Sequence, residues 1–383
     1  MFGTEVKSGI CLSNARIVLP GRVHHGSLTV EQGTVGDLGT SATGIDLQGD
    51  YLIPGIIDLH TDHIESHLFP RAGVTWQVAD ALAAHDSVVI AGGTTTVFDS
   101  LCVGATIKKP ERRDVLLPLL DALEAGARAG RFRAEHFLHL RCETCDPKTI
   151  PLFDQAIARN IARLVSVMDH TPGDRQSVDV GHWTTRMARD MQIDLAEARL
   201  RLAELLERSA AVSPSVRAHI VAGAKTAGLP ILSHDDRTVS HIDQACKEGI
   251  NVSEFPTTPE AAAHARASGQ SIVAGAPNYL RGGSQSGNVA VRELLAAGLV
   301  DALASDYVPR SPLDAAFAIA EDVDIPQGLP EAIAMVTEVP ARIAGLTDRG
   351  AIRPGLRADL VQVRRGSAGN HVVAVWRRGQ RVF

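Results

Sequence analysis

The chain has 383 residues, of which 45% are hydrophobic and 21% charged, a composition typical of a globular protein with a substantial core. The formal net charge of −6 argues against a broad nucleic-acid-binding surface. No uncharged apolar run approaches the ~18 residues of a membrane span, and the N-terminal stretch MFGTEVKSG carries charges where a secretory signal has its apolar core. We therefore expect a cytoplasmic protein without nucleic-acid or membrane partners.

Short strands are predicted at both ends of the chain. The N-terminal strands are Ala15–Leu19, Ser27–Glu31 and Thr34–Leu38, and the C-terminal ones are Asp359–Val363 and Val372–Trp376, followed by a hairpin turn at Gly379-Gln380. Neither set is large enough to enclose a core by itself. We therefore expect residues 1–52 and 346–383 to form one composite β-sandwich domain, with residues 53–345 inserted between its two parts.

The middle of the chain alternates strand and helix signals. Eight apolar runs are predicted as strands: Tyr51–Asp62, Thr94–Ser100, Phe137–Glu143, Leu164–His170, Pro230–Asp236, Asn251–Phe255, Ser271–Asn278 and Ala302–Tyr307. Eight strands that alternate with helices predict an α/β fold, a (β/α)8 TIM-like barrel, rather than an open sheet.

Several helices between these strands have clear start signals. Ser213-Pro214 precedes the predicted helix Ser215–Ala227, and a Thr-Pro pair opens the helix Glu260–Ala267. Residues 174–212 are longer than a usual connection and contain the strongly helical stretch Ile193–Ala211. We interpret them as an insertion that forms a lid or an oligomer contact.

The stretch Tyr51–Asp62 (YLIPGIIDLHTD) ends in three polar residues. Asp58, His60 and Asp62 are two residues apart, so they share one face of a strand. Burying an imidazole and two carboxylates is costly unless something pairs with them, and a divalent metal ion is the natural partner. The alternative is a strand end whose polar residues lie in a solvated loop.

The other strand ends favour the metal, because the carboxyl ends of barrel strands meet at one face. The candidate metal ligands at these ends are His60, Asp62, Glu143, His170, His234 and Asp306. Nitrogen and oxygen ligands suit Zn, Mn, Fe or Ni, and six candidates exceed the needs of one ion, so two divalent metal ions are predicted. Glu143 is expected to bridge them, with His139 deeper on the same strand face. Asp235 and Asp236 are expected to orient His234 or to be ordinary loop carboxylates.

A Gly- and Ser-rich loop follows the seventh predicted strand and leads into the helix Val289–Ala297. Its candidate substrate-binding residues are Arg281, Gly282, Gly283, Ser284, Ser286 and Asn288. Glycines permit close backbone approach, amides at a helix N-terminus favour anions, and arginine can donate forked hydrogen bonds. The loop therefore predicts a phosphate-binding site, with Arg141 as a further candidate. The alternative is a simple connector.

Longer motifs surround these residues. They are PGIIDLHTDHIESHLFPR (54–71), HDSVVIAGGTTTVFD (85–99), AEHFLHLRCE (134–143), LVSVMDHTPGDRQ (164–176), SHDD (233–236), EFPTT (254–258), GAPNYLRGGSQSGN (275–288), SDYVPRSPLDAAF (305–317) and GAIRPGLRADLV (350–361). With the ligand pattern, they resemble the amidohydrolase superfamily, and within it a branch that acts in the carbon–phosphorus lyase pathway of phosphonate catabolism. Asp62 departs from the superfamily's more common HxH but agrees with that branch.

The resemblance implies a metal-dependent hydrolase with a barrel of the amidohydrolase type. In the similar branch, α-D-ribose 1-methylphosphonate 5-triphosphate is cleaved to the 5-phosphate and pyrophosphate. A metal-activated hydroxide would attack phosphorus, and Asp306 would be both a ligand and the general base.

The alternative is an amidohydrolase or deaminase acting on a cyclic amide or nucleobase, since fold does not fix function. The expected partner is a small phosphorylated substrate, and Ala-rich helices allow a homodimer.

Overall fold

The computed structural model describes residues 9–105, 111–175, 179–284 and 287–383. The chain begins with the first strands of a terminal sheet. They are β1 (Ile10–Leu19), β2 (Arg22–Glu31), β3 (Thr34–Gly39), β4 (Ile45–Asp46) and β5 (Tyr51–Pro54). Gly21 and Gly33 have φ angles of 75° and 80° in the tight turns before β2 and β3, a conformation that favours glycine.

Eight parallel strands then form the barrel. They are β6 (Ile56–Thr61), β7 (Thr94–Val103), β8 (Glu135–Glu143), β9 (Ala162–Met168), β10 (Ile231–His234), β11 (Val252–Glu254), β12 (Ser271–Gly275) and β13 (Ala302–Ala304). Each strand pairs with the next in chain order, and a parallel bridge between Thr61 and Asp306 brings the last strand back to the first. The predicted TIM-like barrel is confirmed.

The C-terminal segment completes the terminal sheet with β14 (Leu360–Gly366), β15 (Gly369–Arg377) and β16 (Gln380–Arg381). Strand β5 pairs in parallel with β1 and antiparallel with β14, so it joins the two ends of the chain. A bridge between Thr34 and Arg357 brings the edge strand β3 towards the segment before β14. The expected β-sandwich is thus one mainly antiparallel sheet of eight strands. The domain boundaries at 52/53 and 345/346 stay predictions.

Helices lie between the barrel strands and after the last of them. They are α1 (Ile64–Leu68), α2 (Val78–Ala91), α3 (Glu111–Arg128), α4 (Thr149–Ile157), α5 (Val180–Met191), α6 (Leu195–Thr226), α7 (Val239–Lys247), α8 (Pro259–Ala267), α9 (Ala276–Arg281), α10 (Val291–Ala296), α11 (Ser311–Ile319), α12 (Leu329–Ala334) and α13 (Glu338–Ile343). The predicted start of α8 is correct, since the Thr258 side chain accepts a hydrogen bond from the backbone of Ala261. Among the described helices, none combines the length and the apolar character needed to cross a membrane.

The predicted helix break at Ser213-Pro214 is wrong. Helix α6 runs through this point as one helix of 32 residues, although Pro214 lacks a backbone donor. The Ser213 hydroxyl lies 2.7 Å from Thr144 Oγ1 and 2.8 Å from Asp169 Oδ2, both beyond the ends of barrel strands. These tertiary contacts hold the helix against the barrel where local sequence signals predict a start. Helix α5 and the first half of α6 make up the predicted insertion, whose role stays a prediction.

The predicted strand Ser271–Asn278 is too long. Strand β12 ends at Gly275, and Ala276–Arg281 form helix α9, with Pro277 in its first turn where the fixed φ of proline suits a helix. The Gly- and Ser-rich loop therefore follows a helix rather than a strand. This places Arg281 in the last turn of α9, at the beginning of the loop.

Candidate active site

The carboxylate of Glu254 holds two histidines at the carboxyl end of the barrel. Its Oε1 lies 2.7 Å from His60 Nδ1, its Oε2 lies 2.6 Å from His234 Nδ1, and the Ser166 hydroxyl donates to Oε2 at 2.8 Å. The two imidazole rings stack with 5.6 Å between their centroids. With both Nδ1 atoms engaged, each ring presents Nε2. In the described part of the chain, His60 Nε2 is buried and has no hydrogen-bond partner.

Glu143 and His170 form a second pair beside this one. His170 Nδ1 lies 2.6 Å from Glu143 Oε2, and the His170 backbone N–H donates to Oε1 at 3.1 Å. The Cys145 thiol also donates to Oε1, at 3.3 Å. His170 faces His234 with 6.0 Å between ring centroids, and ligand atoms of His170, His234 and Asp235 lie close enough together to hold one ion. The bridging role of Glu143 stays a prediction.

Asp306 follows the last barrel strand and is tied to the first. Its backbone N–H donates to His60 O, and its carbonyl accepts from Asp62 N, both at 2.9 Å. The residue has a φ of 54°, in the left-handed region, which lets the chain turn sharply at the strand end. Burial and the nearby Asp62 carboxylate raise the pKa of Asp306 to about 7, although the positive charge of Arg141 acts to lower it. A carboxylate with this pKa can exchange a proton at neutral pH.

Asp62 is paired with arginines in this structure. Arg141 Nη1 donates to Asp62 Oδ2 at 3.3 Å, and Arg112 Nη2 lies 4.0 Å from the same oxygen and 2.6 Å from Glu65. The Arg141 side chain is buried and extends from β8 towards the strand ends. Arg141 is therefore close to the candidate metal ligands, as expected for a group that contacts an anionic substrate there.

His139 and Asp236 lie behind the candidate ligands. His139 Nδ1 is 2.8 Å from Leu59 O and its Nε2 is 2.5 Å from Ser166 Oγ, so both ring nitrogens are engaged. Asp236 accepts from Ser233 Oγ at 2.8 Å and from Arg175, which also donates to His234 O at 3.1 Å.

Asp235 differs from Asp236. Its Oδ2 lies 3.4 Å from His234 Nε2, the nitrogen that the ring presents to the site, and its φ of 57° turns it out of the strand. Asp235 is thus positioned as a candidate ligand rather than as a residue behind His234.

A cleft connects this centre to the Gly- and Ser-rich loop. Its lining includes Asp235, Asp306, Phe255, Tyr307, Asn278, Arg281, Gly283, Ser284 and Asn288. Arg281 Nη1 donates to Tyr307 Oη at 3.2 Å, while Gly282 and Gly283 have φ angles of 76° and 159° that favour glycine. Asn278 Oδ1 accepts a hydrogen bond from Val291 N at 2.9 Å, which joins helix α9 to the start of helix α10 beyond the loop. Ser286 lies outside the described residues.

The comparisons with known proteins agree with this fold. A model of the amidohydrolase family matches residues 176–383. A protein from Escherichia coli (strain K12), α-D-ribose 1-methylphosphonate 5-triphosphate diphosphatase, is 39% identical over 376 residues, which cover 97% of this chain and 100% of that protein. The chain belongs to the amidohydrolase family.

Solved amidohydrolase-like structures share the fold at low sequence identity. 5-Methylcytosine deaminase from Klebsiella pneumoniae has a TM-score of 0.63 at 15% identity, with 98% of each chain covered. Guanine deaminase from C. acetobutylicum also has a TM-score of 0.63, at 12% identity, with 98% of this chain and 100% of that chain covered. At these identities the likeness concerns the fold alone.

The donors of this amidohydrolase fit a divalent cation. His60 Nε2 is a buried nitrogen without a partner among the described residues, and the Asp62 and Asp235 carboxylates both contribute to the raised pKa of Asp306. A cation would satisfy the nitrogen and neutralise the mutual repulsion of these carboxylates. The ligand atoms are nitrogen and oxygen, the types that suit borderline and hard divalent metals.

The sequence prediction for this amidohydrolase missed Glu254, Asn278 and Arg175. Glu254 closes a short apolar strand, and the motif EFPTT shows no ligand spacing. Its partners His60 and His234 are 194 and 20 residues away in the chain. One signal was present, since Glu254 also occupies the end of a predicted barrel strand.

Proposed function

We propose that this amidohydrolase cleaves α-D-ribose 1-methylphosphonate 5-triphosphate to the 5-phosphate and pyrophosphate in phosphonate catabolism. The observation that carries the proposal is the cleft that joins the acidic strand-end centre, with Asp235 and Asp306, to the loop containing Arg281 and Gly283. Such a cleft combines a metal-binding end with an anion-binding end. The relative that is 39% identical over nearly the full length bears the name of this activity, which supports the same substrate.

The residues proposed to hold metal are His60, Asp62, Glu143, His170, His234 and Asp306, to which the geometry adds Asp235. We propose two divalent ions of Zn, Mn, Fe or Ni, because these nitrogen and oxygen donors exceed the needs of one ion. Bound there, the ions would make a water molecule acidic at neutral pH and place positive charge beside the departing pyrophosphate.

Asp306 takes the proton of the attacking water in this mechanism. Burial and Asp62 raise the pKa of Asp306 in the metal-free protein, and a bound cation would offset both effects, so the carboxylate would be ionised and able to accept a proton. Glu254 holds the His60 and His234 rings in position through its two oxygens. The imidazoles therefore need no rearrangement when the reaction begins.

Arg281 and the loop after α9 bind the triphosphate. The Arg281 guanidinium is exposed at the cleft, 3.2 Å from Tyr307 Oη, and can donate to phosphate oxygens. Gly283 lines the cleft without a side chain, so its backbone can approach the same oxygens. Pyrophosphate with its charge neutralised leaves without a proton donor, so cations matter more than an acid in this step.

Two parallel assays of the metal-loaded protein test this function, with Asp306→Asn as the matched inactive control. Phosphorus NMR follows ribose 1-methylphosphonate 5-triphosphate and an ordinary nucleoside triphosphate, and ultraviolet absorbance follows a hydantoin or cytosine. We expect pyrophosphate from the first sample and not from the control. Turnover of the cyclic amide or nucleobase without release of pyrophosphate would replace this proposal by the amide-hydrolase alternative.

We further propose that the protein is a homodimer that uses the α5–α6 insertion. Helix α6 exposes Leu195 and Leu206, with 47% and 36% of their surfaces accessible, and their separation of roughly three helical turns places both on one face, where apolar side chains favour association. Light scattering should give twice the mass of one chain, and Leu206→Glu should return it to the mass of one. A monomeric wild-type protein would contradict the proposal.

A further inference from the structure

A cluster of three histidines lies beside the barrel, outside the proposed active site. His63 directly precedes helix α1, His67 lies on that helix, and His85 lies on helix α2. Residues four apart on a helix share one face, so His63 and His67 point to the same side. The ring centroids are 4.9 Å apart for His63 and His67, 5.7 Å for His63 and His85, and 6.5 Å for His67 and His85.

Two nitrogen atoms of this cluster lie at a distance suited to a shared ion. His63 Nδ1 is 3.5 Å from His85 Nδ1. Two nitrogens bound to one tetrahedral Zn²⁺ at the usual bond length lie roughly 3.3–3.4 Å apart. Among the residues that the structure describes, His67 Nε2 is buried and has no hydrogen-bond partner. The cluster thus offers a pair of facing nitrogens and an unsatisfied third one.

Asp99 contacts the ring nitrogen of His85 that does not face His63, as carboxylates commonly do for metal-binding histidines. His85 Nε2 lies 2.9 Å from Asp99 Oδ1, and both side chains are fully buried. The other oxygen of Asp99 is 2.8 Å from His136 Nδ1, and His136 Nε2 is 3.2 Å from Asp86. A carboxylate on one imidazole nitrogen fixes the ring and leaves the other nitrogen free to bind metal. Since Asp99 has both oxygens engaged, it acts as this anchor rather than as a ligand.

We propose that His63, His67 and His85 bind one divalent metal ion of the imidazole-preferring class, typified by Zn²⁺, with water in the fourth position. Three imidazole nitrogens with an open position are a ligand set that Zn²⁺ uses in proteins. Burial and His85 lower the pKa of His67, so its ring is neutral, the form that binds metal. The three nitrogens do not all converge before binding, so the ion would have to draw the half-buried His67 ring towards His63 and His85.

The ion would link helix α1 to helix α2. Helix α1 begins two residues after Asp62, so this link would restrain the segment that follows the active-site strand β6. The three histidines are separate from the ligands proposed for catalysis. The proposal is therefore independent of the hydrolytic function, and either can fail without the other.

Metal content tests the proposal. Wild-type protein, His67→Ala and His264→Ala are loaded with Zn²⁺, dialysed and measured by mass spectrometry for zinc per chain. His264 is the matched control, because it is also half-buried on a helix and pairs with Asp243 at 2.8 Å. We expect His67→Ala to hold one equivalent less than the wild type, and His264→Ala to hold the same. Equal zinc content in all three proteins would overturn the proposal.

Anomalous diffraction on the wild-type protein gives a second test that does not depend on the folding of any variant. Crystals are grown with Zn²⁺, and data are collected on both sides of the zinc absorption edge. An anomalous peak between the three imidazoles supports the site. A peak at the strand-end centre without one at the histidines overturns it.

Discussion

Glu254 and His60 are 194 residues apart in the chain, yet Oε1 of the first lies 2.7 Å from Nδ1 of the second at the carboxyl end of the barrel. Because Oε2 holds His234 in the same way, one carboxylate orients two candidate metal ligands, one from the neighbouring strand β10 and one from β6, three strands away around the barrel. The pKa of Glu254 lies well below its usual range, since His60 and His234 outweigh the effect of burial. The residue is thus a carboxylate at all physiological pH values.

Glu254→Gln should therefore weaken metal binding. The amide keeps one acceptor oxygen, so only one of His60 and His234 retains its anchor, and we expect metal affinity to fall about 10–100-fold. Competition with a chelator followed by fluorescence measures this affinity. Glu260→Gln, at an exposed position on α8, is the control. Unchanged affinity in Glu254→Gln would show that the two rings are oriented by other contacts.

Comparison of Glu254 with His60 and His234 shows which residues of the candidate site could be predicted from the sequence. Strand periodicity and the polar strand ends were sufficient for the barrel and for candidate ligands such as His60 and Asp306, because barrel geometry converges all strand ends on one face. Glu254 lacked a local signature, since its importance lies in partners from distant segments. The contact between Arg141 and Asp62, 79 residues apart, was invisible for the same reason.

Local rules failed where tertiary contacts are stronger. A Ser-Pro pair usually starts a helix, but at Ser213-Pro214 the serine hydroxyl contacts Thr144 and Asp169, and α6 continues through the proline. Helix start and stop signals in one sequence contain no information on contacts between distant residues. The helix break was consequently predicted wrongly, whereas the barrel was predicted correctly.

Asp306→Asn should retain most of the bound metal and lose nearly all turnover. The amide is close to the same size and still offers an oxygen ligand, but it cannot accept a proton from water, so we expect kcat to fall about 10²–10⁴-fold. Zinc per chain and the rate of pyrophosphate release are measured on the same preparation. Asp37→Asn, exposed on β3, controls for the loss of one negative charge. Retained turnover would remove Asp306 from the role of base.

Arg281→Ala should weaken triphosphate binding more than metal binding. The guanidinium reaches into the cleft and is hydrogen-bonded there to Tyr307 alone among the described residues, at 3.2 Å, so its remaining donors can serve phosphate oxygens. Loss of a hydrogen bond between charged groups should raise KM roughly 10–100-fold. Steady-state kinetics and chelator competition separate the two effects, with the exposed Arg131→Ala as control. A KM equal to that of the wild type would exclude the phosphate-binding role.

Stability should decline as the pH rises towards 10. Asp99 and Asp86 outweigh burial and raise the pKa of His136 to about 9, from an ordinary value of 6.5. A histidine with a raised pKa stabilises the fold fully below pH 6.5, and this contribution, on the order of 3 kcal/mol, is lost as the pH passes 9. Urea unfolding at pH 6.5, 8 and 9.5 measures the decline. The difference between wild type and His136→Gln should shrink over this range, and a constant difference would contradict the prediction.

Glu135→Gln should destabilise the junction between the barrel and the terminal sheet. Glu135, the first residue of barrel strand β8, lies 2.5 Å from both Arg349 Nη1 and Arg357 Nη1, and the two arginine side chains are only 6% exposed. Removing the carboxylate leaves two largely buried positive charges with less compensation, which should cost about 3 kcal/mol in the free energy of unfolding. Urea unfolding of Glu135→Gln, compared with the exposed Glu111→Gln, measures the loss. A change below ~1 kcal/mol would indicate that Asp348 and Asp359 alone satisfy both arginines.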